Sequence, residues 1–150
     1  MKKGLVKSLA TFFGIGYLPL MAGTWASLAA LPLAWFFHET LLWQVLVFSL
    51  IGLAICKPAE EAFQKKDPGA FVLDEVAGMQ LSLLALPKNG YIFSAAFILF
   101  RLFDIWKPGP IGRIQASKNP MSIMWDDILA GLFANILLQA SVRLFPVLSA

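Results

Sequence analysis

Carboxylates are the side chains of this 150-residue sequence best suited to do chemistry, and they are unevenly spread. Six of the nine acids, Asp67, Asp74, Glu75, Asp104, Asp126 and Asp127, fall between positions 67 and 127. Two of the sites look alike. Asp74-Glu75-Val76-Ala77-Gly78-Met79 and Asp127-Ile128-Leu129-Ala130-Gly131-Leu132 share the pattern D-x-x-A-G-apolar. On a helix the Asp and Gly of each copy lie on one face, a turn apart. The glycine lets a neighbouring backbone approach just below the carboxylate, which is how polar groups on separate helices converge. Asn135 continues the second stripe. A third acid stands in the run from Arg101 to Pro110, where Arg101, Asp104 and Lys107 recur every three residues and share a face until Pro108 ends the helix. Small-residue packing would explain either glycine motif alone, and an ion-pair ladder would explain the third. Their coincidence favours a functional cluster.

Clustered carboxylates without histidine or thiol select a hard cation such as Mg²⁺ over zinc or copper. Arg and Lys beside such a cation are what a phosphate needs. Absences narrow the mechanism. A cysteine phosphatase needs an Arg six positions after its thiolate, but Cys56 is followed there by Ala62. No D-x-D pair suits an aspartyl-phosphate enzyme, and His38 is the single histidine. Water activated by a metal and attacking phosphorus survives this elimination, and a serine or threonine nucleophile stays open. Gly23-Thr24 offers N–H groups and a hydroxyl to an anion at a helix start, although Thr24 as a plain N-cap is the simpler reading.

These residues must be positioned by apolar elements. The chain is 59% hydrophobic against about 45–50% in soluble domains, and 14% charged against about 25%. Length allows one domain, 1–150, and the net charge of +3 gives no argument for nucleic acid. Five apolar stretches without a period of two predict helices, at roughly 21–37, 41–56, 71–86, 91–106 and 128–148, after a short basic N-terminal helix. The expected fold is an all-α integral membrane bundle of about five apolar helices. Most stretches are 16–17 residues, about 24 Å as helix against a hydrocarbon core of roughly 30 Å. A compact soluble bundle is the alternative this shortness leaves open.

With a cytoplasmic N-terminus and five spans, Lys2, Lys3, Lys7, Lys57, Lys65, Lys66, Arg101, Lys107, Arg113 and Lys118 fall on the cytoplasmic side, and only Lys88 and Arg143 on the far side. Trp25, Trp106 and Trp125 then mark the inner boundary, Trp35 and Trp43 the outer. The same topology puts the acids at the cytoplasmic ends of their segments. Acids near helix starts act as dipole partners or caps, but Asp104 ends a helix, where the dipole disfavours it.

Gly23-Thr24 with Ser27-Leu28-Ala29-Ala30, Asp74-Glu75 with Gly78-Met79, Phe100-Arg101 through Asp104 to Lys107-Pro108 with Pro110-Ile111, and Asp126-Asp127 with Ala130-Gly131 resemble the phosphatidylglycerophosphatase A family, in order from about residue 12 to 140. The resemblance implies a Mg²⁺-dependent lipid phosphatase of the bacterial inner membrane, acting on phosphatidylglycerophosphate at the cytoplasmic leaflet. Asp74, Glu75, Asp104, Asp126 and Asp127 are then the catalytic carboxylates, with Asp74, Glu75, Asp104 and Asp127 as metal ligands. Arg101, Lys107, Gly23, Thr24 and Ser27 are expected to bind phosphate, with Arg113 and Lys118 as looser candidates. The rivals are an ion or proton transporter using the same acids, a lipid phosphotransferase, and a non-catalytic membrane subunit. Oligomeric state does not follow from the sequence.

Overall fold

The computed structural model describes residues 2–117 and 119–145, so Lys118 and the end of the stretch expected at 128–148 lie outside the described residues. Seven helices follow one another: α1 (Lys3–Ala10), α2 (Ala22–Phe36), α3 (Leu41–Phe63), α4 (Leu73–Ser82), α5 (Gly90–Trp106), α6 (Pro110–Gln115) and α7 (Ser122–Leu144). No strand occurs among the described residues, as the long apolar runs predict. The short basic N-terminal helix is α1, which turns Val6 and Ala10 inward onto α3.

At the centre stands α4, packed on α2, α3, α5 and α7. Only Glu75 and Leu81 of its ten residues escape full burial. Around it the outer helices expose apolar side chains in rows: Leu42, Leu46 and Leu50 on α3, Ile98, Leu102 and Ile105 on α5, Leu132 and Ile136 on α7. All five tryptophans also carry exposed ring surface. Apolar area this extensive is not left facing water by a soluble monomer; it marks a membrane-associated protein.

Of the about five apolar helices expected for the bundle, not all have the length of a membrane span. Among the described residues two segments are long and apolar enough to cross a membrane alone, His38–Phe63 and Ser122–Leu144. Helices α2 and α5, with 15 and 17 residues, reach about 22 and 25 Å, and α4, with 10, reaches about 15 Å. The 71–86 stretch is only partly helical because α4 stops at Ser82, ahead of Pro87 and a left-handed Ala85 (φ 56°). Carbonyls freed there are taken by α7: Asn135 Nδ2 donates to Ser82 O and Leu84 O, and Gln139 Nε2 to Leu84 O and Ala85 O. The stripe through Asn135 therefore caps a neighbouring helix end.

Two other helices run longer than hydropathy indicates. Helix α3 continues past Lys57-Pro58 to Phe63, since Ala59 and Ala62 pack on α1. Helix α7 begins at Ser122, six residues before the apolar run expected from 128. Carboxylates interrupt the hydropathy there but not the helix, whose buried Ile123 and Met124 hold it to the core.

Candidate active site

Helices α4 and α7 cross at their glycines. A Cβ on Gly131 would collide with the carbonyl oxygen of Gly78, and one on Gly78 would stand 2.6 Å from that of Asp127. Backbone cannot yield, so only glycine at both positions allows this approach. One turn above the crossing, the two repeats deliver their carboxylates to one place. An oxygen from each of Asp74, Glu75 and Asp127 lies within 4.8 Å of the others. Asp74 and Asp127 are buried, and Glu75 packs its carboxylate against Gly23 in the first turn of α2, where a Cβ would displace it.

The cations stand on the other acids. One turn before the end of α5, Arg101 Nη1 donates to Asp104 Oδ2 at 2.5 Å. Lys107, which caps α5 in a left-handed conformation (φ 47°), donates from Nζ to Asp126 Oδ2 at 2.5 Å and lies 3.6 Å from Asp104 Oδ1. This pairing offsets the dipole penalty on Asp104 at a helix C-terminus. No such pair reaches Asp74, Glu75 or Asp127 among the described residues. Asp126 and Asp127 lie beyond the first turn of α7, so capping does not account for them.

A cavity of about 170 Å³ joins the groups; Asp74, Glu75, Asp104, Asp126, Asp127 and Lys107 all line it, with Asp67 at its exposed edge. Burial, then the charges of Glu75, Asp127 and Asp126, push the Asp74 carboxyl well above the usual range. Burial also raises Glu75, reinforced by Asp104 and opposed by a hydrogen bond from Asp74 and by Arg101. For Lys107 burial works against the charge, but the Asp126 hydrogen bond and the charges of Asp127, Asp126 and Asp104 outweigh it, and its pKa is raised. It stays a cation. Three like charges sharing buried space require a proton or a cation between them, and an all-oxygen set suits Mg²⁺. Glu75 Oε2 is buried with no protein partner, as a vacant ligand oxygen would be.

The remaining expected residues are distributed around this centre. Thr24 is not the N-cap of α2; Met21 is, and the Thr24 N–H is engaged by Met21 O while its Oγ1 is buried without a partner. The Ser27 hydroxyl is buried and donates to Gly23 O at 2.8 Å. Arg101 stands behind Asp104 with its Nε buried and unpartnered. Arg113 does not line the acid cavity but lies exposed on α6. Asp104 joins the cavity yet sits outside the closest group of three. Gln115, which lines the cavity, carried no signal in the sequence, being one polar residue in a charged connection.

The family model for phosphatidylglycerophosphatase A matches residues 8–142. The chain belongs to the phosphatidylglycerophosphatase A family. A phosphatidylglycerophosphatase A from Escherichia coli (strain K12) is 39% identical over 133 residues, covering 84% of this chain and 77% of the relative. One from Haemophilus influenzae (strain Rd) is 36% identical, covering 88% and 85%. A Bacteroides thetaiotaomicron protein, provisionally named phosphatidylinositol-3-phosphatase, is 34% identical over 145 residues, covering 89% and 91%. No solved structure matches. Membership makes this a phosphatase, and the matched region includes all the acids that line the cavity.

Proposed function

We propose that the protein is a Mg²⁺-dependent phosphatase that removes the terminal phosphate of phosphatidylglycerophosphate, at the cytoplasmic face of the bacterial inner membrane. The observation that carries this reading is the convergence of Asp74, Glu75 and Asp127 within 4.8 Å, without a protein cation, beside Lys107. These three would hold Mg²⁺. Bound there, Mg²⁺ supplies charge neutralisation to the phosphate and lowers the pKa of water.

The chain's own groups do the rest. Lys107, fixed between Asp126 and Asp104, turns to the phosphate oxygens, and Asp104 orients Arg101 toward the same charge. Asp126 Oδ1, buried and without a protein partner, accepts the proton of the attacking water. Helix α4, starting at Leu73, directs its N-terminal dipole toward the same anionic group. Acids gathered at one end of the bundle argue against an ion path, which needs them near the midplane. The excess of Lys and Arg at that end supports a cytoplasmic site and a multi-pass topology.

Phosphate release by detergent-purified protein tests this, with Mg²⁺ and with chelator, on phosphatidylglycerophosphate, phosphatidylinositol 3-phosphate and phosphatidic acid. The expected result is Mg²⁺-dependent release with the first substrate preferred. The Bacteroides relative makes preference for the second the specific competing outcome. Transfer to an alcohol without free phosphate would indicate a phosphotransferase.

A further inference from the structure

The acid cavity is the first of three in a row. It shares Asp67, Gln115, Ile123 and Asp126 with a second cavity of about 250 Å³, to which Glu60, Lys66 and Ser117 add polar walls. That cavity shares Ser117 and Ser122 with a third, of about 270 Å³, walled by Arg113, Ile114 and Trp125. Chemistry changes along the row: carboxylates and Lys107 first, then mixed acceptors and donors, then the Arg113 guanidinium with Ser117, Asn119 and Ser122 beside the apolar surface of Ile114 and Trp125. Trp125 is partly exposed, as an interfacial aromatic would be.

That order matches a lipid with two phosphates joined by a short polyol. We propose that α6, Ser117 and Ser122 form a head-group track in which Arg113 binds the bridging phosphodiester of the substrate. The terminal phosphate occupies the acid cavity. The linking polyol lies in the second cavity, its hydroxyl donating to Glu60 and accepting from Gln115. The diester meets Arg113, with Trp125 and Ile114 against the first carbons of the lipid. Arg113 thereby selects lipids carrying a second phosphate at the right distance and does not take part in the chemistry. This inference rests on the phosphatase reading above.

Two measurements test it on the full-length protein in mixed micelles. The first is the ratio of kcat/KM for phosphatidylglycerophosphate to that for p-nitrophenyl phosphate, in wild type, Arg113→Ala, Arg113→Lys and Trp125→Ala. The ratio should fall about tenfold or more in Arg113→Ala, mainly through KM, as for a lost charge-assisted contact, with partial recovery in Arg113→Lys. The second is equilibrium binding of phosphatidylglycerol, which keeps polyol and diester but lacks the terminal phosphate, in chelator. Its Kd should rise about tenfold in Arg113→Ala. An unchanged ratio and Kd, or equal losses on both substrates, would overturn the track. Wild type that binds phosphatidylglycerol through Arg113 but releases no phosphate would refute the phosphatase reading and leave the track standing.

Discussion

Each carboxylate in the cluster has a different environment, and function divides along those lines. Asp74, Glu75 and Asp127 face one another without a cation, whereas Asp104 and Asp126 hold Arg101 and Lys107. Replacing Lys107 by Met should therefore lower kcat/KM about 10²–10³-fold, as removal of a transition-state charge contact does, while leaving the Mg²⁺ requirement in place. Steady-state kinetics across Mg²⁺ concentrations separates the two effects. Gly23→Ala should do the opposite. The atoms its new methyl would meet first all belong to the Glu75 side chain, which can swing aside, so the fold tolerates it, but Glu75 is pushed from its partners. The Mg²⁺ concentration for half activity should rise about tenfold or more, as for loss of one support to a metal site, with the unfolding midpoint nearly unchanged.

The helices matter chiefly through the α4–α7 crossing. Gly131→Ala drives a methyl into the Gly78 backbone, which cannot move cheaply, and should cost about 1–3 kcal/mol along with activity. Asn135→Leu, lower on the same helix, takes the side-chain donor from the Ser82 carbonyl and leaves Leu84 with Gln139 alone, and should cost about 1–3 kcal/mol with turnover preserved in the protein that stays folded. Thermal unfolding in detergent beside phosphate release distinguishes the two. The crossing was legible in the sequence because the D-x-x-A-G repeat states both requirements, a carboxylate and a glycine one turn away. The length of α4 was not legible. Its end depends on Asn135 and Gln139, more than fifty residues onward, and no local pattern announces a helix capped from outside. The start of α7 was hidden by its own carboxylates, which lower hydropathy while the helix continues. Of the readings open for Thr24, that of a plain N-cap falls to Met21, three residues earlier, whose left-handed backbone has no sequence signature.

Across the whole molecule, chemistry is confined to one end of a bundle whose sides are apolar. Helix α4 is too short to span alone and survives by being enclosed, which buries Asp74 and raises its pKa together with that of Glu75. A carboxyl whose pKa rises on folding stabilises the folded state below its unfolded pKa, and that contribution is lost as pH climbs through the raised value. Metal-free protein should accordingly lose thermal stability as pH rises beyond the ordinary carboxylate range. Saturating Mg²⁺ should remove that loss, because it binds the ionised folded form. Unfolding midpoints in chelator and in Mg²⁺, measured across pH, give the comparison.

The most direct test of the central claim is equilibrium binding of Mn²⁺, as a paramagnetic substitute for Mg²⁺, to wild type and to Asp127→Asn, with phosphate release measured on the same samples. The account predicts Mn²⁺ binding by wild type that Mg²⁺ displaces. In the folded variant it predicts binding at least about tenfold weaker, as for a damaged metal site, with phosphate release lost in parallel. Undiminished binding in Asp127→Asn, or phosphate release by wild type in chelator, would contradict it.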